Sequence, residues 1–421
     1  MNILSTELIH HPYQAPEGFE SPVTPVYKGS TVIFKNVAAM RQRDWRSRNG
    51  YTYGLHGTPT TFTLEERLSS LEGGRHCVLF PSGLAALANV ALALLKAGDE
   101  VLLPDNVYGP NKALAEHELA HWGISHQYYD PLNPADLAAR LSSKTRLVWL
   151  EAPGSVTMEF PDLLGLVQVC REFEAASPIL ALDNTWGAGL AFKPFALGLS
   201  SGLGSSPPTL LGVDISVHAL TKYPSGGGDV LMGSAVTCDE ALHLRLKATH
   251  MRMGWGVGAN DCETILRSLP SMALRYEAQD ASARQLAQWL GAQKDVVQVL
   301  HPALPGSPGY AHWKALCERE GEGEGVGGLA AGLFSVLLDP AWHPAQVDAF
   351  CDALKLFKIG YSWGGPISLV MPYDLKGMRQ LPSTALKPGH LVRFSVGLER
   401  PADLQADLAQ ALAHSERLAS L

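Results

Sequence analysis

Three features of the sequence predict an α/β fold: a mainly parallel sheet in a large domain, a smaller C-terminal α/β domain and an extended N-terminal arm. Apolar, strand-like runs alternate with helix-length segments from about residue 76 to 184. Strands joined by helices of that length imply right-handed crossovers and parallel neighbours. After about residue 240 long helical stretches take over, and a second, smaller set of strands follows. The first sixty residues show no clear periodicity and carry Pro12, Pro16, Pro22 and Pro25. At about 150 residues per domain the length corresponds to roughly 2.8 units. The boundaries that result are an arm over 1–57, a large domain over 58–262 and a C-terminal domain over 263–421.

The arm holds a basic, aromatic run of Arg41, Arg43, Trp45, Arg46, Arg48, Tyr51 and Tyr53, read as extended chain with one short amphipathic helix. An arm this long needs its own body or a neighbouring subunit to lie on. Regular structure is expected from Thr63, which has capping-box spacing to Glu66. Leu64, Leu68 and Leu71 then share a helical face, and Gly73-Gly74 stops the helix. HCVLF (76–80) leads to a helix over 84–96, and EVLLP (100–104) to one over about 110–121. SHQYYD (125–130) precedes a helix near 134–141, TRLVWLEAP (145–153) precedes 162–175, and PILALDN (178–184) follows. Strands this continuously apolar suit a sheet covered on both faces. Helices are expected over 239–252 and 260–293, and Gly321 to Gly328 reads as a loop. Strands near 333–338, 359–362 and 391–396 and a helix from Pro401 complete the chain. No repeat of solenoid length is visible.

Composition narrows the function. Apolar residues make up 46% and charged residues 18%, a globular balance. The net charge of −8 and the lack of a basic patch argue against a nucleic-acid partner. The longest apolar stretch, Leu84 to Leu95, is 12 residues, too short to span a bilayer. The first twenty residues lack the apolar core of a signal peptide. Six cysteines at 77, 170, 238, 262, 317 and 351 form neither a disulfide framework nor a CxxC clamp. A soluble cytoplasmic chain with no membrane partner is the expectation.

Four segments carry the chemistry. Pro81-Ser82-Gly83-Leu84 joins an apolar strand to an apolar helix, where free backbone N–H groups and the helix dipole favour a phosphate. An ordinary strand–helix turn reads the same. Asp183 in LALDNTWG ends a buried strand, where open α/β sheets place ligands. Buried there it needs a cationic partner, which a pyridinium nitrogen would supply; a helix cap is the other reading. Lys222 in VHALTKYPSGGGD follows an apolar strand and precedes three glycines. In a dry pocket its pKa falls and it becomes a nucleophilic amine able to form a Schiff base; a surface lysine beside a loop also fits the string. Arg393 in LVRFSVG has apolar strand neighbours, a good position for bidentate capture of a carboxylate or for a structural salt bridge. A competing signal is His117-Glu118-Leu119-Ala120-His121, a literal HExxH with zinc-peptidase spacing. Its helix must bury Leu114, Leu119 and Trp122, and no strong third ligand lies downstream.

Together, Asp183-Asn184-Thr185-Trp186, Thr221-Lys222-Tyr223 and the Arg393 strand resemble the Cys/Met-metabolism family of pyridoxal-phosphate enzymes. The resemblance runs from Tyr53 to Glu399. Pro153-Gly154-Ser155-Val156-Thr157-Met158-Glu159 and Tyr361-Ser362-Trp363-Gly364-Gly365 are similar to its bacterial cystathionine β-lyase branch. The resemblance implies the aspartate aminotransferase-like fold type I and a carbon–sulfur β-lyase in methionine biosynthesis. A γ-lyase, or a lyase of another S- or O-substituted amino acid, is the nearest rival. It also implies pyridoxal 5'-phosphate as cofactor, an amino-acid substrate and a homotetramer, a dimer of dimers, with sites shared between subunits. Lys222 would carry the cofactor and Asp183 would hold its ring nitrogen. Tyr108 would stack on the ring and relay a proton. Gly83, Leu84, Thr221 and a neighbouring subunit's Tyr53 would bind phosphate. Arg393, Ser362 and Trp363, with Tyr53, would bind substrate, and no metal is implied. Three places depart from the family pattern. Tyr53-Gly54-Leu55 stands where Tyr-Gly-Arg is usual, leaving His56, Arg48 or the helix terminus to balance the phosphate. Gly226-Gly227-Gly228-Asp229 replaces Gly-His-Ser-Asp, and Ser200 to Pro208 reads as an insertion.

Overall fold

The computed structural model describes residues 6, 8–9, 17–18, 21–46, 50–175, 177–199, 210–318 and 327–419. Arg48, the Ser200 to Pro208 stretch and residues 321–326 of the Gly/Glu-rich piece lie outside them. The arm contributes helix α1 (Val37–Arg41), capped by the Asn36 side chain, and a 3-10 turn at Gly54–His56. Helix α2 (Pro59–Glu72) begins four residues before the expected start. Proline is pre-set for a first helical turn, so Pro59 moves the cap to Thr58, which forms a capping box with Thr61. Thr63 instead donates to the Pro59 carbonyl, 2.8 Å away. Gly73 ends the helix in the left-handed region at φ 78°, as its sequence predicts.

The chain then runs β1 (His76–Phe80), α3 (Gly83–Leu94), β2 (Glu100–Pro104), α4 (Gly109–Ala113), a π-helical segment (Leu114–Leu119) and β3 (Ser125–Tyr129). α5 (Pro134–Arg140), β4 (Thr145–Glu151), α6 (Leu163–Arg171) and β5 (Ile179–Asp183) follow. A small ladder of β6 (Gly198–Leu199) and β7 (Leu210–Leu211) precedes β8 (Ile215–Ala219) and β9 (Gly233–Thr237). Among the described residues these strands form a seven-stranded sheet in the order β1-β9-β8-β5-β4-β2-β3. Strands β8, β5, β4, β2 and β3 are parallel, and β9 runs antiparallel to both its neighbours. Alternation sorts the core. Val101, Leu103, Leu147 and Trp149 face α3 and the π-helical segment, whereas Leu102, Val148, Leu150, Leu180 and Leu182 face α2 and α6. Residues two apart share a face, so both faces are apolar and both are covered.

α7 (Glu240–Met253) follows, and the expected helix over 260–293 is divided. α8 (Ala259–Ser268) and α9 (Met272–Gly291) flank a 3-10 turn containing Pro270, which cannot supply an interior backbone donor. A second sheet has the order β10 (Val296–Leu300), β11 (Leu333–Leu338), β14 (His390–Ser395), β13 (Leu369–Tyr373) and β12 (Lys358–Ile359). Helices α10 (Tyr310–Cys317), α11 (Pro344–Ala353) and α12 (Pro401–Ala419) complete this part. Even-numbered Phe334, Val336, Val392 and Phe394 pack on the α9, α11 and α12 side. Odd-numbered Leu333, Leu337 and Leu391 join the core that includes α2 and α6. Arg393 has the same parity as the second set and so faces the large sheet. Ser335 Oγ ties the sheets together by donating to the Val156 carbonyl at 2.7 Å.

A buried charge network pins the loop after β13. Asp105 accepts from Lys112 Nζ at 2.9 Å and from the Gln380 and Leu381 backbone N–H groups. Arg379 lies 3.3 Å from Asp105 and 3.0 Å from Glu159, and Lys112 also donates to the Met378 carbonyl. Asp105→Ala leaves Lys112 without its carboxylate and strands two backbone donors, while Arg379 keeps Glu159, so it should cost about 3 kcal/mol. A thermal midpoint equal to that of the wild type would contradict this account.

Candidate active site

The parallel strands deliver their C-terminal ends to one place. Asp183 ends β5, Glu151 ends β4, Tyr108 follows β2, the Ser82–Gly83 turn follows β1, and Lys222 lies three residues beyond β8. β14 and β13 bring Arg393 and Tyr373 from the second sheet. These groups line a single cavity of about 460 Å³, together with Leu84, Thr221, Tyr361, Ser362, Trp363 and Met378.

Lys222 Nζ donates to Ser362 Oγ at 2.7 Å and lies 5.5 Å from the Trp363 ring centroid. Burial and the Arg393 charge pull its pKa down to about 8, against an upward pull from Asp183. A neutral amine is therefore within reach near physiological pH, which is what attack on an aldehyde requires. Ser362 is held at φ 99°, unusual for a residue with a Cβ. Tyr223 packs edge-on to Trp363, and a Cβ on Gly364 would come within 3.0 Å of the Tyr223 nitrogen. The short β12 stops at Ile359, not at 362 as expected, and this leaves Ser362 free to turn inward.

Asp183 Oδ1 accepts twice from Thr185, from the backbone N–H at 3.0 Å and the hydroxyl at 2.5 Å. The Thr185 hydroxyl accepts in turn from the Ala219 N–H, locking the ends of β5 and β8 together. No donor among the described residues reaches Oδ2. Burial pushes the Asp183 carboxyl up, the Thr185 bonds and the His218 and Lys222 charges opposing. A carboxylate with one oxygen fixed and one open to the cavity is a ready partner for a cationic ring nitrogen.

Arg393 is 6% exposed, and its Nη1 donates to the Ser155 carbonyl at 3.3 Å. Its guanidinium stacks 5.1 Å from the Tyr373 ring centroid. It has no ion-pair partner among the described residues. Burial lowers its pKa, and the groups that oppose this are the hydroxyls of Tyr373, Tyr108 and Tyr361, not carboxylates. A buried cation so placed calls for an anionic ligand.

Ser82 caps α3 by accepting from the Ala85 N–H at 3.0 Å, so the N–H groups of Gly83 and Leu84 are left without intrahelical acceptors. A Cβ on Gly83 would stand 2.7 Å from the Ala219 Cβ, and one on Gly233 would stand 2.4 Å from the Ser82 carbonyl oxygen. Glycine at both positions lets the backbone close into a cradle for an anion. Thr221 joins this edge through 3.4 Å hydrogen bonds to the Met232 backbone. The amine, the carboxylate and the amide cradle in one cavity fit pyridoxal 5'-phosphate.

Tyr53 lies elsewhere in this chain. It lines a separate hollow with Gly54, Leu55 and residues 256–261. Leu55 packs on Gly256. His56 is held by the Thr52 hydroxyl at 2.6 Å, and burial with the Lys247 and Arg43 charges lowers its pKa. Both effects favour its neutral form, which makes it a poor substitute for an arm arginine. His117, Glu118 and His121 are exposed, and no group of three metal-ligating side chains occurs among the described residues. The residues that sequence reading missed, Thr185 and Glu151, show themselves only through cross-strand bonds; the adjacency of Thr185 to Asp183 was the available hint.

The depressed Lys222 pKa has a measurable consequence. Uptake of pyridoxal phosphate by cofactor-free protein should speed up about tenfold per pH unit below pH 8 and level off above it. Stopped-flow absorbance would record this; a plateau reached only near pH 10 would mean an unperturbed lysine.

Residues 5–413 match the model of the Cys/Met metabolism PLP-dependent enzyme family. A cystathionine beta-lyase of Bordetella avium is 36% identical over 96% of this chain and 96% of its own. Cystathionine beta-lyase MetC of Escherichia coli is 34% identical over 91% of each chain. The crystal structure of metB from Corynebacterium glutamicum superposes with a TM-score of 0.82 at 27% identity, covering 97% of both chains. The chain belongs to the Cys/Met metabolism family of pyridoxal-phosphate-dependent enzymes, with that family's fold.

Proposed function

We propose that the protein is a carbon–sulfur β-lyase that splits cystathionine into homocysteine, pyruvate and ammonia. Arg393 is the observation that carries an amino-acid substrate. It is a buried, unpaired cation on the same cavity as Lys222. The β-position follows from the Pro153–Glu159 and Tyr361–Gly365 motifs, and agrees with the names of relatives that match more than nine-tenths of the chain. We assign it to methionine biosynthesis in the cytoplasm; no helix among the described residues is long and apolar enough to cross a membrane.

Pyridoxal phosphate, when bound, supplies an electron sink for negative charge at the substrate Cα. Gly83, Leu84 and Thr221 would hold its phosphate edge, and Asp183 would keep its ring nitrogen protonated. Arg393 binds the substrate α-carboxylate, with Ser362 and Trp363 closing that side. As a free amine Lys222 would take the proton from the substrate Cα, steadied by the Ser362 hydroxyl. Lys222 or Tyr108 then returns a proton to the departing sulfur. Burial, Asp183 and Glu151 raise the Tyr108 pKa, so this phenol stays protonated and is suited to donate. Water completes the release of pyruvate and ammonia. Tyr53 would act in a neighbouring subunit's cavity within a dimer of dimers; among the described residues it lines a hollow apart from the cavity of its own chain.

The keto acid formed distinguishes β- from γ-elimination. Cystathionine should yield pyruvate, whereas 2-oxobutyrate as the main product would assign the protein to the γ-lyases. Arg393→Ala should lower kcat/KM about a hundredfold, mainly through KM, as a charge-assisted contact of about 1.5–3 kcal/mol is lost. An unchanged kcat/KM removes Arg393 from the substrate site.

A further inference from the structure

Among the described residues Glu151 is the one carboxyl group lining the cavity that the proposed reaction leaves without a role. It ends β4 in register with Asp183 on β5, and both side chains open on the cavity. Its Oε2 accepts from the Tyr108 backbone N–H at 2.9 Å, and it lies beside the Ser155 N–H, which donates to the Asn106 carbonyl at 3.3 Å. The Ser155 carbonyl in turn accepts from Arg393. One buried side chain therefore contacts the backbone that carries Tyr108 and the loop that supports Arg393, and it stands beside the carboxylate meant for the ring nitrogen.

We propose that Glu151 is a positioning residue, the neutral, hydrogen-bonded member of a carboxyl pair with Asp183. It sets Tyr108 and the Ser155 turn while leaving a single negative charge at the cavity floor. Two buried carboxylates on adjacent strands cannot both ionise without large cost. The groups around the pair decide which one stays protonated. Asp183 has two bonds from Thr185 and the favourable fields of Lys222 after β8 and His218 on β8. Glu151 has the Tyr108 and Ser155 amides, but the one side-chain charge acting on it is that of Asp183. Burial and that charge hold Glu151 well above the carboxylate range. Arg393 on β14 and Tyr373 on β13 face Tyr108 and the cavity rather than this pair. A second charge here would also draw Lys222 back towards its protonated form.

This inference rests on the cavity being the cofactor site, and its test does not need the reaction to be β-elimination. Glu151→Ala removes the acceptor for the Tyr108 N–H and should lower kcat/KM about thirtyfold. Glu151→Gln keeps a carbonyl acceptor with no charge and should recover activity to within about threefold of the wild type. The visible absorbance of the cofactor-loaded protein, titrated from pH 6 to 10, should give wild type and E151Q the same midpoint within about 0.3 unit. A midpoint lowered by about half a unit or more in E151Q would show that a charge had been removed, and would overturn the proposal. So would an E151A variant as active as the wild type. If E151A does not fold, the E151Q titration decides alone. If the wild type released no pyruvate from cystathionine, the β-elimination reading would fail, yet the titration would still decide the state of Glu151.

Discussion

The site depends on two cations held away from water around one cavity. Lys222 and Arg393 are both largely buried, and neither has a carboxylate at ion-pair distance among the described residues. A protein that only needed to be stable would pair such charges or replace them with apolar side chains. Leaving them open costs folding free energy, which a bound anion can offset. The amine that loses its proton and the guanidinium that cannot are complementary. On the proposed function one would react and the other would bind.

The fold makes this arrangement rigid. Parallel strands place their C-terminal ends at one edge, and a ligand crevice is expected there. Thr185 bridges β5 to β8, so the Asp183 end and the segment leading to Lys222 move as one. The second sheet supplies Arg393 from its inward parity, and Ser335 docks it on the same 153–158 turn that Arg393 touches. The buried Asp105, Lys112, Arg379 and Glu159 network fixes the loop that carries Met378 to the cavity wall. The ties made by Ser335, Arg393 and Arg379 join segments far apart in sequence, so the cavity exists only once both sheets are packed.

This separation explains what the sequence made legible. The strands from 76 to 183 are short, apolar and bounded by turn residues, so each falls within a few residues of its expected place. Lys222, Asp183 and Arg393 stood out because a charge in an apolar run needs a reason. Val296–Leu300 and Leu369–Tyr373 were not foreseen as strands. Both are only partly buried and give weak alternation. The early start of α2 came from a proline whose helical preference outweighed the Thr63 spacing. Glu151 was hidden in a strand ending that reads as an ordinary turn, because its meaning comes from Asp183 on the next strand. The tuning of Lys222 by Arg393 was equally invisible, since 170 residues of chain separate them.

The account rests on Lys222 being the amine that bonds the cofactor aldehyde. Borohydride reduction of the cofactor-loaded protein, followed by peptide mapping, reports that bond directly. The expected result is one modified lysine, in the peptide containing Thr221-Lys222-Tyr223. Modification at another lysine, or none at all, would contradict it.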